Sequence, residues 1–344
     1  MLVTGGTGLV GGDVIVALAR RGVPVKALVR ATSIGDAHDR LFARLAKTPG
    51  FAPELHERIV PVVGDTTQPM FGTSPSAIGD VAVVVHCAAN TQFSAKADDN
   101  VWQTNVSGAR HLIDVVRSVN AGARVVFVST ASVVTAPEGV CLSEDARYMG
   151  YENTYTRSKR EAETIVRASG LDLVVVRPSI VLSRGLQDRA LARSILWAVP
   201  IMAELGEVPI DGDAHVDIVP VDHVARMTAT LALKPTLAYP VYHISAGRTA
   251  YTFRQLLEAM VRQVPGLRRI RPVGRHARAT AAQRRLLRPL ASYLPFINAD
   301  VRYANTRLQD EIGAAATPPA AISYVPELVG YISVDEALEE MYVP

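Results

Sequence analysis

The chain has 344 residues, of which 49% are hydrophobic and 20% charged, with a formal net charge of +3. That is a globular composition, long enough for one large or two modest domains, and the charge is too small to argue for nucleic-acid binding. Two cysteines, Cys87 and Cys141, give no disulfide framework, no Cys/His spacing resembles a metal site, and no apolar run reaches the ~18 residues that span a bilayer.

In chain order, Met1-Leu2-Val3 reads as the stub of a strand, followed by the glycine-rich turn Thr4-Gly5-Gly6-Thr7-Gly8-Leu9-Val10-Gly11. An apolar-periodic helix then runs through Val14, Leu18 and Arg21, and Gly22 stops it. Glycines at 5, 8 and 11 suit a tight turn, close approach of a pyrophosphate and close helix packing, with the phosphates on the helix N-terminus. This opening of strand, turn, helix and strand does not read as a signal peptide, so a cytoplasmic setting is expected. A second strand, Val23 to Val29, ends at Arg30. NAD sites place an acid here for the ribose hydroxyls, whereas Arg suits a 2′-phosphate, so the expected cofactor is NADP(H). Arg40, Arg44 and Lys47 recur at helical spacing, as on a solvated face.

Ile59 to Val63 is a third strand, leading to Gly64-Asp65. Asp65 suits either the adenine amino group or a cap or turn. Val81 to Val85 is a fourth strand, nearly all Val, as expected when both faces are buried. It runs into His86-Cys87-Ala88-Ala89-Asn90, where small residues let the chain pass close to a cofactor. His86 reads as a buried histidine bonded to backbone rather than a catalyst. Asn105 falls in a helix, where its side chain or a distorted turn could order water.

The fifth strand, Val125 to Ser129, delivers Thr130 to its C-terminal end, where ligands of open α/β sheets bind. The next helix carries Tyr155, Lys159, Ala162 and Val166 along one face. Tyr155 and Lys159 are one turn apart, so the ammonium is expected to lower the tyrosine pKa and make it a proton donor. An aromatic anchor beside a solvated lysine is the plain alternative. Leu171 to Arg177 is a sixth strand, stopped by Pro178.

Beyond Pro178, Ala190 to Leu205 reads as a helix interrupted by Pro200, Val216 to Val219 as a short strand, and Asp222 as the cap of a helix to about Leu233. Val241 to Ile244 is a further strand, and Thr252-Phe253-Arg254-Gln255 opens a helix to about Val264 with a capping box. From Arg262 to Arg307 the chain is arginine-rich, with Leu286, Leu287, Leu290, Tyr293, Leu294 and Phe296 interleaved. That segment suits a solvated surface, a peripheral membrane contact or, preferred over the membrane, docking of an acidic partner. The alternation of strands and helices predicts an α/β, Rossmann-type doubly wound parallel sheet with a smaller, mainly helical C-terminal substrate-binding domain. The expected division is 1–185, with 212–247 returning to it, for the NADP-binding part, and 186–211 with 248–344 for the substrate.

Together, Gly5-x-x-Gly8-x-x-Gly11, Thr130, Tyr155-x-x-x-Lys159 and Asn105 resemble the extended short-chain dehydrogenase/reductase superfamily. Segments such as Leu28-Val29-Arg30-Ala31, Gly64-Asp65, His86-Cys87-Ala88-Ala89, Asn153-Thr154-Tyr155-Thr156, Arg177-Pro178-Ser179-Ile180-Val181 and Val216-Asp217-Ile218-Val219-Pro220-Val221-Asp222 are similar to its fatty acyl-CoA reductase and thioester reductase branch. Gly5-Gly6-Thr7 departs from that branch's more usual Gly-Ala-Thr. The resemblance implies catalytic roles for Thr130, Tyr155, Lys159 and Asn105. It implies cofactor contacts at Thr4, Gly5, Thr7, Gly8, Leu9, Gly11, Arg30, Asp65, Thr66, Ala88, Ala89, Tyr155, Lys159 and Pro178, and no metal. The implied reaction is NADPH-dependent reduction of a thioester of CoA or a carrier protein to an aldehyde, with the alcohol after a second hydride. Thr130 and Tyr155 would hold the carbonyl, and Lys159 the nicotinamide ribose. The alternatives are an NADP-dependent dehydrogenase or ketoreductase acting on a free hydroxyl or ketone, then a nucleotide-sugar epimerase or a non-catalytic dinucleotide sensor.

Overall fold

The computed structural model describes residues 1–93, 98–134, 139–147, 153–183, 195–277, 280–288, 290–291 and 293–329. Seven parallel strands form the central sheet: β1 (Leu2–Thr4), β2 (Val25–Val29), β3 (Ile59–Val63), β4 (Val83–His86), β5 (Arg124–Val128), β6 (Leu173–Pro178) and β7 (Val241–Ile244). Their order is β7-β6-β5-β4-β1-β2-β3. Chain direction across the sheet reverses between β1 and β4, so the crevice for a ligand opens at the C-terminal ends of those two strands. The Val-rich runs of β4, β5 and β6 are buried because helices cover both faces.

Helix α1 (Leu9–Ala19) is buried along most of its length and packs against α2 (Ile34–Leu45). Helix α3 (Gly108–Asn120) lies beside α4 (Thr154–Arg167) on the opposite face. The expected solvated face of α2 needs correction at Arg44. Its guanidinium is 13% exposed and donates to Asp13 Oδ2 (2.7 Å) and to the Leu9 carbonyl (3.0 Å), pinning α2 to the first turn of α1. Burial pushes the Asp13 carboxyl up, and Arg44 opposes that shift. Arg40, by contrast, is exposed and, among the described residues, pairs only with Asp36 on its own helix, at 4.0 Å.

A second apolar core lies beyond the sheet, among α5 (Ala198–Leu205), α7 (Phe253–Gln263) and the segment to Val329. Between them in sequence, α6 (Val221–Leu233) packs on α1. Helix α5 starts later than the sequence suggested, and Pro200 sits in its first turn, where its missing N–H costs little; residues 190–194 lie outside the described residues. The capping box of Thr252 and Gln255 forms as expected. Asp222 does not cap α6: Pro220 stands at the N-cap, and Asp222 lies in the first turn facing Arg226 at 3.8 Å. Asp217, almost fully buried, accepts from the backbone N–H of Ala246 (2.8 Å), Tyr303 (3.1 Å) and Gly247 (3.2 Å), tying the second core to the end of β7.

The arginine-rich segment is partly structural. Arg271 pairs with Glu207, Arg275 with Asp211, and Arg307 with Glu144 and Asp145. Arg284, Arg285 and Arg288 are exposed, on and just after the short helix α8 (Ala281–Leu287). Leu287 and Leu290 are buried in the second core, which argues against the membrane reading of this stretch; Arg278, Pro289 and the Phe296 side chain lie outside the described residues. Among the described residues no helix is long and apolar enough to cross a membrane.

Replacing Arg44 by Met would leave the Asp13 carboxylate buried beside an apolar chain. Removing one partner of a buried pair costs about 3–5 kcal/mol, so urea unfolding of Arg44→Met should show a loss of that order; a change within experimental error would mean that the pair carries no stability.

Candidate functional site

The site forms where β1, β4 and β5 end. Gly5 has a left-handed backbone (φ +71°), and a Cβ there would lie 2.7 Å from the Ala88 nitrogen, so only glycine lets the turn pass the end of β4. A Cβ on Gly11 would fall 2.2 Å from the Gly5 carbonyl oxygen, so this glycine lets α1 start against the turn. Gly8 is the N-cap of α1 and offers no side chain to its free N–H groups, and Thr7 and Gly8 are exposed at the mouth. This leaves an uncapped helix N-terminus of the kind that binds a pyrophosphate. Buried Thr4 closes the switch point from beneath: its Oγ1 meets His86 Nδ1 at 3.0 Å and accepts from Ala88 N at 3.2 Å. His86 is buried as expected, but its partner is the Thr4 hydroxyl rather than backbone. It lies between the Phe71 and Phe127 rings, and burial holds its pKa down at about 3.

The other expected cofactor residues lie around this crevice. Leu9 opens α1, and Ala89 is exposed just past Ala88. Arg30 is exposed directly after β2 and has no ion pair among the described residues, while nearby Asp36 is turned to Thr32 and Arg40. Asp65 Oδ1 accepts from the N–H and hydroxyl of Thr67, both at 2.9 Å, which is the turn role weighed from the sequence. Thr66 is buried, and its carbonyl meets His111 Nδ1 at 2.9 Å. Pro178 ends β6 in register with Ile244.

Thr130 follows β5, and α4 brings Tyr155 to it. The helix is fixed by a reciprocal cap: Thr156 N donates to Asn153 Oδ1 (2.8 Å), and Asn153 N donates to Thr156 Oγ1 (3.1 Å). The Thr130 side chain lies near enough to Tyr155 to favour its phenolate, and its own hydroxyl bonds Ser132. Lys159 is 2% exposed, and its Nζ donates to the Val128 carbonyl at 2.7 Å and lies 4.6 Å from the Phe127 ring centre. Asn105 sits in a π-helical turn, Gln103–Ser107, and is fully engaged. Its Nδ2 donates to Ser158 Oγ (2.8 Å) and to the Asn90 carbonyl (2.9 Å), and its Oδ1 accepts from Asn90 N (2.8 Å). The distorted turn is present, but the side chain joins the β4 loop to α4 instead of pointing to water.

The expectation that Lys159 lowers the Tyr155 pKa needs correction. Burial pushes the phenol up to about 12, and the group that opposes this is Thr130. The ammonium points along the strand end toward Val128 rather than at the phenol. Burial in turn lowers Lys159 to about 8. Around it, His86 stays neutral and Cys87 is pushed up to about 12 by burial, so the carboxylate of Glu163 is the charge that opposes this lowering most. Glu163 was missed in the sequence, although it extends the row Tyr155, Lys159 by one more turn. Arg177 grips it with two donors, Nε to Oε2 at 3.0 Å and Nη2 to Oε1, and itself donates to the Glu144 carbonyl at 2.9 Å. Phe93 was also missed: its ring stacks on Tyr155 with centres 5.7 Å apart. No periodic pattern surrounds it, so the sequence carried no signal for this contact.

Residues 3–228 match a family described as male sterility protein, an NAD-binding family. The chain belongs to this family. It is a branch of the extended short-chain dehydrogenase/reductase superfamily, and the fold is that of its NAD(P)-dependent oxidoreductases. The chain is 29% identical over 222 residues to a putative fatty acyl-CoA reductase of Drosophila melanogaster, covering 53% of this chain and 40% of the fly protein. It is 24% identical over 297 residues to fatty acyl-CoA reductase 2 of Mus musculus, covering 72% of this chain and 58% of the mouse protein. It thus spans less than two thirds of the length of either relative. In three dimensions it is similar to the terminal R domain of the myxalamid PKS-NRPS biosynthetic pathway, with a TM-score of 0.76, 22% identity and coverage of 97% of this chain and 91% of that one.

Glu163→Gln removes the charge that raises Lys159, so the lysine should titrate at lower pH than in the unaltered protein, below about 8. Nitrogen-15 NMR of the Lys159 side chain reads this directly. An unchanged midpoint would show that Glu163 serves only its arginine partners, Arg177 and Arg167.

Proposed function

We propose that this protein is an NADPH-dependent reductase of an acyl thioester, acting through Thr130, Tyr155 and Lys159. The observation that carries the reading is the placing of Tyr155 next to Thr130 and one helical turn from buried Lys159, at the same end of the sheet as the glycine turn. The turn fits a dinucleotide because its glycines leave a cradle that Cβ atoms would fill, and because α1 offers uncapped N–H groups. Arg30 would meet the 2′-phosphate, which favours NADP(H) over NAD. When bound, the nicotinamide cofactor supplies the hydride.

The chain's own residues do the rest. Thr130 and Tyr155 orient the substrate carbonyl with two hydrogen bonds. Tyr155 gives its proton to the carbonyl oxygen as negative charge develops there. A phenol at about 12 donates well to an alkoxide and stays protonated in the resting site. Lys159, held on the Val128 carbonyl, would hold the nicotinamide ribose of the bound cofactor, and Asn105 joins the β4 loop to α4. The resulting hemithioacetal collapses to thiol and aldehyde, and a second hydride gives the alcohol. The thioester assignment is supported by the names of the relatives, fatty acyl-CoA reductases and an R domain of a PKS-NRPS pathway. The exposed Arg285 and Arg288 suit a phosphate-bearing handle, whether coenzyme A or a carrier protein. Residues 186–211 and 248–344 are the part we assign to the substrate.

Purified protein with NADPH should turn over acyl-CoA thioesters. Tyr155→Phe, which loses one hydroxyl and keeps the ring, should be slower by ~10²-fold or more. Turnover of ketones with none of thioesters would replace the reading with a ketoreductase, and an active Tyr155→Phe would remove the mechanism. Arg30→Asp should weaken NADPH binding by ~10-fold or more, since a charge-assisted contact is worth about 1.5–3 kcal/mol, and should favour NADH relatively. Tighter binding of NADH than NADPH by the unaltered protein would contradict the role given to Arg30.

A further inference from the structure

Four rings run in a row away from the candidate proton donor. Phe93 stacks on Tyr155 at 5.7 Å with planes 13° apart, and Tyr293 stacks on Phe93 at 4.6 Å with planes 17° apart. Trp197 meets Tyr293 edge-on, with ring centres 5.3 Å apart. The row starts in the dinucleotide-binding part and ends against the second apolar core, where Trp197 and Tyr293 pack.

Two features separate this row from ordinary core packing. All four residues keep some exposure to solvent, even though the Tyr155 hydroxyl is enclosed, whereas the sheet aromatics Phe71 and Phe127 are sealed. The row therefore lines a surface open to small molecules. It also starts at the ring whose hydroxyl would hold the substrate carbonyl, so a substituent on that carbonyl must lie beside Phe93.

We propose that Phe93, Tyr293 and Trp197 are the wall that receives the acyl chain of the substrate, and that Phe93 and Tyr293 set the preference for a long apolar chain over a short one. The wall presents aromatic faces. Apolar carbon gains there by leaving water, whereas the amides of a pantetheine arm would lose hydrogen bonds to water. The acyl side of the thioester is thus the side that fits. The inference rests on Tyr155 as the residue that meets the carbonyl.

The test is kcat/KM for octanoyl-CoA relative to acetyl-CoA, with NADPH, in the unaltered protein and in Phe93→Ala, Tyr293→Ala and Tyr293→Phe. The unaltered protein should prefer the longer chain. Each alanine variant should lower that ratio by ~10-fold or more, because each buried methylene contributes about 0.8 kcal/mol. Tyr293→Phe keeps the ring and should keep the ratio. Equal loss on both substrates, or no change in the ratio, would overturn the proposal. Should an alanine variant fail to fold, binding of the unreactive thioether S-octyl-coenzyme A decides it. This ligand should change the fluorescence of Trp197 in a Trp102→Phe background, and S-methyl-coenzyme A should change it far less. Equal responses would overturn the proposal. If the unaltered protein reduces ketones and no thioester, the function assigned above fails, and the same ratio measured on long and short alkyl ketones still tests the wall.

Discussion

The buried ammonium of Lys159, donating to the carbonyl at the end of β5, is the interaction on which the site depends. A charge without water is costly unless other groups compensate it. Here the Val128 carbonyl, the face of Phe127 and the carboxylate of Glu163 do so, while His86 and Cys87 stay uncharged. Because the ammonium is bound to the strand end, α4 has one rotation relative to the sheet. That rotation puts Tyr155 beside Thr130 and Glu163 in the grip of Arg177. The packing of α4 and the proposed chemistry therefore share one side chain.

A second constraint is the close passage of the chain at the switch point. Gly5 leaves no room for a Cβ against Ala88, and Thr4 bonds both His86 and Ala88. The β4 loop is then held from the far side by Asn105, which also reaches Ser158 on α4. The glycine turn, the β4 loop and the Tyr155 helix are thus joined through short hydrogen bonds. A dinucleotide on the first and a carbonyl at the last would be placed by the same framework.

Much of this was legible in the sequence because it depends on local period and spacing. Val-rich runs gave the buried strands, the Thr252–Gln255 pair gave a helix start, and the four-residue step from Tyr155 to Lys159 gave the row on α4. What was not legible depends on tertiary burial. The direction of the Tyr155 shift follows from how deeply the phenol is enclosed, which spacing does not report. Arg44 has the same helical spacing as exposed Arg40 and differs only because Asp13 comes to it from another helix. Asp222 has a capping residue's chemistry, but the chain enters α6 two residues earlier, with Pro220 at the N-cap. The ring row from Phe93 to Trp197 joins segments about 200 residues apart in sequence, and nothing in either segment announces the other.

The central claim is that the carbonyl reduced here belongs to a thioester. Counting free thiol released against NADPH oxidised, in the same reaction with one acyl-CoA, tests it most directly. The account predicts one thiol for each NADPH when the aldehyde leaves, or one thiol for every two when it is reduced further. NADPH oxidation with no thiol released would contradict it.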